Sequence, residues 1–240
     1  MIPSYELAGE VEEAGPGVGG VWPGDDVFAL TPFDRDGVAA DYAVVPADVL
    51  AARPRSLNRA ESAAMALPML TAWQGLFDHG RLAAGERVLI HGAAGGVGGF
   101  AVQLVRAAGA HVIGTASAAS LDLVLEHGAH EAVDAATRFE DAVEPVDLVF
   151  DTAGGERLRR SRAVLRPGGR LVSVAEEPSD GGEYFTVEPN HVQLTTIARL
   201  ADAGELRPPS VEIFPLASAR EAFARSLERG RRGKVVLAVT

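Results

Sequence analysis

The chain has 240 residues, enough to bury a core in one large or two small domains. Twenty-two Lys and Arg against 33 Asp and Glu give a net charge of −11, which argues against nucleic acid and against an anionic membrane as partners. Cysteine is absent, so disulfides, thiolate zinc sites and a cysteine nucleophile are excluded together. The opening Met1-Ile-Pro-Ser-Tyr-Glu has no basic segment leading into an apolar one. The longest apolar stretch, around Ala63 to Trp73, is broken by Pro68 and too short to span a bilayer. These features predict a soluble, cytoplasmic protein.

Along the chain, the first fifty residues alternate short β-prone runs with Gly and Pro turns. Leu7–Glu13 precedes Gly15-Pro-Gly17, Val27–Leu30 precedes Thr31-Pro32, and Tyr42–Val45 precedes Pro46. Closely spaced strands of this kind predict a small sheet or barrel. A helix is expected from Asn58, an N-cap with Glu61 as its box partner, interrupted by Pro68. A second helical stretch ends at His79, read as the last residue before a C′ glycine, Gly80.

The pattern then becomes βα alternation. Strand 87–91 leads to helix 96–108, Val112–Thr115 to a helix near Ser120–His127, and Ala132–Val133 to one around Phe139–Val143. Asp147–Phe150 leads to a helix near Glu156–Leu165 stopped by Pro167-Gly168-Gly169, followed by strands at Arg170–Val174 and Tyr184–Val187. Such alternation implies an α/β fold with a doubly wound parallel sheet. After Pro189 come an amphipathic helix (Val192, Leu194, Ile197, Leu200), a strand at Val211–Phe214, a helix near Ala219–Gly230 and a strand at Val235–Val239.

One stretch in the middle states its chemistry. The apolar run Val88-Leu-Ile90 leads into Ala93-x-Gly95-x-x-Gly98, and a helix follows with apolar residues at Val97, Phe100, Ala101, Leu104, Val105 and Ala108. Strand, glycine turn and helix form the first unit of a dinucleotide-binding fold, where a helix N-terminus meets a pyrophosphate. Ala93 stands where the fingerprint's first Gly is usual; Gly95 lets the backbone approach phosphate, and Gly98 lets helix and strand pack closely. In an NAD site an acidic residue about 20 positions further on holds the ribose 2′-OH. Here that count reaches Thr115, and the first carboxylate, Asp122, lies inside the next helix. The hydroxyls of Thr115 and Ser117 tolerate a 2′-phosphate, which favours NADPH, although no Arg or Lys stands nearby to pair it.

In order along the chain, Ala8-Gly9-Glu10-Val11, Gly15-x-Gly17-Val18, Pro23-Gly24-Asp25-Asp26-Val27-Phe28, Ala40-Asp41-Tyr42, Leu70-Thr71-Ala72-Trp73-Gln74, the glycine turn, Asp151-Thr-Ala-Gly-Gly155, Pro167-Gly168-Gly169-Arg170, Phe214-Pro215-Leu216 and Arg229-Gly-Arg-Arg-Gly-Lys-Val-Val-Leu237 resemble a medium-chain dehydrogenase/reductase of the zinc-free quinone oxidoreductase (zeta-crystallin-like) branch. The resemblance covers essentially the whole chain. It implies a GroES-like substrate domain built from both chain ends (1–65 and 189–240) around a central Rossmann domain (66–188). It also implies a homodimer and hydride transfer from NADPH to quinones, enones or enoyl thioesters.

Glycine turn and resemblance together nominate Thr71, Ala93, Gly95, Gly96, Val97, Gly98, Thr115, Ser117, Thr152, Val174 and Ala175 as cofactor-binding residues. Phe33, Met69 and Phe185 are the candidate walls of an apolar substrate pocket, and no metal site is expected. Two departures from the family pattern stand out. The chain begins almost at Ala8-Gly9-Glu10-Val11, which implies a shortened GroES-like domain without the family's tyrosine-type active-site residues, so no catalytic residue carries over. Leu67-Pro-Met-Leu-Thr71, in a segment bordering the nicotinamide, is also about two residues short by that resemblance.

Other chemistries find little here. A short-chain reductase needs Tyr-x-x-x-Lys, but Tyr5, Tyr42 and Tyr184 have Gly9, Pro46 and Glu188 four residues on, and the only lysine is Lys234. No Gly-x-Ser-x-Gly marks a serine hydrolase, and a methyltransferase would place an acid at Thr115. The rival expectation is a redox-neutral enzyme (a cyclase, dehydratase or isomerase) or a binding subunit on a reductase fold. Tyr5, Asp41, Tyr42 and His91 are the only candidate proton donors near such a cleft. Strand packing is the simpler role for Tyr42, and a hydrogen-bonded strand end the simpler role for His91.

Overall fold

A computed structural model describes residues 2–228, 230 and 232–239, and the chain divides into two compact units, residues 1–70 with 188–240 and residues 71–187. In the first, β1 (Glu6–Glu10) pairs antiparallel with β2 (Asp26–Leu30), and β2 with the short β3 (Ala51–Ala52). Tyr42–Val45, expected as a strand, is irregular, and Tyr42 and Val44 are exposed. No described strand lies beside it to complete its backbone hydrogen bonds, and β-propensity alone does not hold a strand.

Helix α1 (Arg59–Trp73) begins on the expected capping box: Asn58 Oδ1 accepts from Glu61 N–H and Glu61 Oε2 from Asn58 N–H, both at 2.9 Å. Pro68 does not interrupt it. A mid-helix proline costs about 3 kcal/mol, yet Met65, Ala66, Met69 and Leu70 around it are fully buried. The adjacent Leu67 N–H donates to Glu6 Oε1 at 3.1 Å. Burial and that carboxylate offset the proline. Leu67–Thr71 is accordingly helical.

Residues Gln74–His79 form a π-helix. Gly80 follows at φ −74, so it is not a left-handed C′ residue. Glycine is required there by space, since a Cβ would lie 2.7 Å from the carbonyl oxygens of Gly75 and Leu76. The left-handed residue is Arg81, at φ 48.

The second unit is a six-stranded parallel sheet. Its elements are β4 (Arg87–His91), α2 (Gly96–Ala107), β5 (His111–Ala116), α3 (Leu121–Glu126), β6 (Glu131–Asp134), β7 (Val146–Asp151), α4 (Glu156–Arg160), β8 (Leu165–Ser173) and β9 (Glu183–Tyr184). The strand order is β6-β5-β4-β7-β8-β9, the doubly wound arrangement expected from the βα alternation. Inner strands are apolar on both faces, as parallel sheets require; Val88, Leu89 and Ile90 are fully buried. The helix expected near Phe139–Val143 is a single 3₁₀ turn, Phe139–Asp141, whose Phe139 joins Leu89, Ile113 and Val149 in the core. Pro167-Gly168-Gly169 does not precede a strand but lies within β8. The register jumps there from Val146 opposite Leu165 to Leu148 opposite Arg170, a bulge that accommodates the proline's missing N–H.

The chain returns to the first unit with α5 (His191–Asp202), β10 (Val211–Pro215), α6 (Ala219–Ser226) and β11 (Lys234–Ala238), the last pairing parallel with β10. Asn190 caps α5 by accepting from Gln193 N–H at 3.0 Å. The last helix ends short of the expected Gly230; Arg229 and Arg231 of the matching stretch lie outside the described residues. Lys234 Nζ donates to Glu6 Oε2 at 3.0 Å, joining β11 to β1. Burial raises the Glu6 carboxyl above its ordinary value, against the pull of Lys234 and the Leu67 N–H.

Candidate functional site

The site grows from the carboxyl ends of β4, β7 and β8. After His91 the chain turns through Gly92–Gly95, with Ala93 N–H donating to Thr115 O at 3.0 Å and Gly95 N–H to Gly92 O at 2.9 Å. Gly95 is the N-cap of α2, in extended conformation. A Cβ on Gly98 would lie 2.1 Å from Gly92 O, so only glycine lets α2 pack on the turn. A Cβ on Gly95 would meet only Gly92 O, at 3.2 Å, and Gly95 and Gly96 are exposed. The first-turn N–H groups of α2, Gly96, Val97 and Gly98 among them, have no intrahelical partner. Together with the positive end of the helix they suit an anion. The strand order reverses at β4, so this turn stands at the topological switch point, where open α/β sheets take their ligands. These residues fit a dinucleotide pyrophosphate.

Beneath the turn lies a buried polar chain, in which His91 is the hydrogen-bonded strand end expected of it, with partners the sequence does not reveal. Ser161 Oγ donates to Arg157 O at 2.8 Å, so its lone pair receives the Nε2–H of His91, 3.0 Å away. Nδ1 of His91 then accepts from Thr115 Oγ1–H at 2.9 Å. All three side chains are fully buried. Burial, with Arg157 and Arg160 nearby, pushes the His91 pKa down to about 3, so the ring is neutral and no proton donor at neutral pH. The Thr115 hydroxyl, expected at a ribose, is turned into the sheet and committed to His91. Ser117 is the exposed hydroxyl of the pair, 3.3 Å from Ser120 Oγ.

A second network joins the loops after β7 and β8. Asp151, fully buried, accepts from Ala153 N–H at 3.2 Å, from Gly154 N–H at 3.0 Å to each oxygen, and from Ser173 Oγ–H at 2.8 Å. Ser173 Oγ in turn accepts from Ala175 and Glu176 N–H, both at 3.2 Å. Thr152 Oγ1–H donates to His91 O at 2.7 Å, and Gly155 N–H to Glu176 Oε2 at 2.8 Å. Thr152, Val174 and Ala175 are thereby fixed on one rim with the glycine turn. Asp151 opens the Asp151-Thr-Ala-Gly-Gly155 stretch, but only its burial reveals its task.

Thr71 is buried in α1. In the first unit Phe33 is partly exposed and packs edge-on against Tyr5, with ring centroids 5.0 Å apart, while Met69 is fully buried in the core. Asp41 and Tyr42 are exposed. In the second unit Phe185 stacks on His79 at 4.2 Å, and His79 Nδ1 lies 2.5 Å from Glu183 Oε1. Among the described residues, no three His, Cys, Asp or Glu side chains gather as a metal-binding set. No described helix is long and apolar enough to cross a membrane.

Comparison with known proteins bears on this geometry. A family model described as zinc-binding dehydrogenase matches residues 127–237. The chain is 37% identical over 97% of its length to the spectinabilin polyketide synthase protein NorB of Streptomyces orinoci, of which it spans 12%. It is 33% identical over 99% of its length to a probable mitochondrial zinc-binding oxidoreductase of Arthroderma benhamiae, spanning 80% of that protein. To the mitochondrial NAD(P)H oxidoreductase RTN4IP1 of Danio rerio it is 31% identical over its full length, spanning 72% of that protein. Among solved structures, the quinone oxidoreductase of Coxiella burnetii superposes with a TM-score of 0.90 at 30% identity, over 100% of this chain and 80% of that one. The CurK enoyl reductase superposes with a TM-score of 0.81 at 27% identity, over 98% of this chain and 78% of that one. With the sheet order, the glycine turn and these likenesses in agreement, the chain belongs to the zinc-binding dehydrogenase family of the medium-chain dehydrogenase/reductase superfamily.

Proposed function

We propose that the chain is an NADPH-dependent, zinc-independent oxidoreductase that transfers hydride to a quinone or an α,β-unsaturated carbonyl compound. The observation that carries this is the exposed Gly95–Gly96 end of α2 at the switch point of the parallel sheet, in a chain related to an NAD(P)H oxidoreductase, a quinone oxidoreductase and an enoyl reductase. A bound nicotinamide supplies the hydride; the chain's own residues hold and orient it. The α2 N-terminus takes the pyrophosphate, Thr152, Val174 and Ala175 border the nicotinamide half, and Ser117 faces the adenosine ribose. NADPH is preferred because β5 ends without a carboxylate to repel a 2′-phosphate. Zinc independence is supported by the donor set: the sequence has no cysteine thiolate, and no three His, Asp or Glu side chains gather as a metal-binding set among the described residues. The early enolate needs a hydrogen-bond donor, and losing one such donor typically costs about 10²–10³ in rate. Neutral His91 is buried away from that task; a backbone N–H or a cofactor hydroxyl can supply the donor.

The test is NADPH oxidation against a panel of small quinones, enones and enoyl thioesters. Consumption of NADPH with at least one class is expected, and Ser117→Asp should turn the preference towards NADH. Conversion of an unsaturated substrate with the NADPH absorbance unchanged would establish redox-neutral chemistry instead.

A further inference from the structure

Asp151 is a fully buried carboxylate whose described hydrogen-bond partners are N–H and O–H groups alone, with no ion pair. Those donors come from two loops. Ala153 and Gly154 follow β7 directly; Ser173 ends β8 and passes the interaction on to Ala175 and Glu176 N–H. One side chain therefore ties both loops, beside the Val174 N–H bond to the Asp151 carbonyl and the Gly155 N–H bond to Glu176 Oε2. Their place along the sheet matters, because the adenosine half of a dinucleotide lies over β5 and its pyrophosphate over the β4–α2 turn. In the order β5-β4-β7-β8 the nicotinamide half then falls over β7 and β8.

We propose, resting on the cofactor reading above, that Asp151 is the positioning residue for the nicotinamide half of the cofactor, acting through Thr152 on one loop and Val174 and Ala175 on the other. It touches no cofactor atom. An acceptor-only side chain matters here because Ser173 Oγ–H donates to it and so keeps its own lone pairs for Ala175 and Glu176. In Asp151→Asn the new NH₂ points at Ser173 Oγ, so three donors then compete for two lone pairs. The loop after β8 loosens. The loop after β7 keeps one carbonyl acceptor.

The experiment measures the affinity of the unsubstituted protein, Asp151→Asn and Ser173→Ala for two ligands. One is NADPH or NADH, whichever binds the unsubstituted protein more tightly; the other is the matching adenosine fragment, 2′,5′-ADP or ADP. Amide hydrogen exchange of the ligand-free proteins is followed alongside. Both variants should bind the dinucleotide about 10-fold or more weakly, the factor expected when about 1.4 kcal/mol of hydrogen bonding is lost, and the fragment unchanged. Exchange at Ala175 and Glu176 should quicken while α2 stays protected. A general loss of structure would weaken both ligands and expose α2. Unchanged dinucleotide affinity in both variants overturns the proposal, as does equal weakening of the fragment. Failure of the unsubstituted protein to bind either dinucleotide overturns the cofactor reading itself. In that case the exchange data still decide whether Asp151 couples the two loops. Should Asp151→Asn not fold, Ser173→Ala carries the same outcomes, since it leaves Asp151 its backbone donors.

Discussion

His91 ends β4 directly before the glycine turn, yet its ring is neutral and no proton donor at neutral pH. Folding holds it neutral, with a pKa of about 3 against 6.5 unfolded, and uses both ring nitrogens to fasten Thr115 and Ser161. Between those values the unfolded chain binds the extra proton and the folded one does not. The stabilisation from this group is therefore complete above 6.5 and lost as pH falls, by roughly 1.4 kcal/mol per pH unit at most. His91→Phe keeps a ring beside Phe139 but leaves the Thr115 hydroxyl without its acceptor, at a cost of about 1–3 kcal/mol at neutral pH. Its stability should also vary less steeply with pH between about 5 and about 7. Urea unfolding of both proteins across that range checks this, and parallel pH profiles would place the protonation elsewhere. A histidine's position in a strand can be read from sequence; its tautomer and partners come from residues 24 and 70 positions away.

At the level of elements, the glycine turn separates two tasks that one motif carries. Gly98 serves packing, for a Cβ there would stand 2.1 Å from Gly92 O. Gly95 has an extended backbone open to any residue, and its one near contact is 3.2 Å from a would-be Cβ. Gly98→Ala should therefore lower the thermal midpoint, whereas Gly95→Val should leave it nearly unchanged and abolish NADPH binding, as followed by fluorescence titration. Retained binding in Gly95→Val would remove the pyrophosphate from this turn. This motif was legible because strand, turn and helix are local: each is fixed by residues within about a dozen positions, on periodicities that one strand or helix imposes. The misreadings were non-local. Pro68 reads as a break, but Glu6, far off in sequence, accepts the neighbouring N–H and burial does the rest. Tyr42–Val45 reads as a strand, but a strand needs a neighbour that composition does not reveal. Pro167–Gly169 reads as a stop, but β8 bulges there and continues against β7. Asp151 and Thr115 are visible in the sequence as residues; their partners are not.

For the molecule as a whole, the parallel sheet leaves an edge at β9, a strand of two residues paired only with β8. Phe185 N–H donates inward to Ser173 O, so by the alternation of a strand the Tyr184 N–H points outward, and the Tyr184 side chain is 48% exposed. His79 braces this edge from behind through Glu183 and Phe185, holding it in position to accept another strand. Open edges of this kind are usually covered or paired. We therefore expect a homodimer in which β9 meets its symmetry mate and extends the sheet across the interface, an isologous contact of the commonest kind. Light scattering at micromolar concentration should give twice the chain mass. Tyr184→Pro removes the outward N–H and leaves the Phe185 bond to β8, so it should shift the equilibrium to monomer without unfolding the sheet. A monomeric unsubstituted protein, or a Tyr184→Pro variant that dimerises as before, would rule out pairing through this strand.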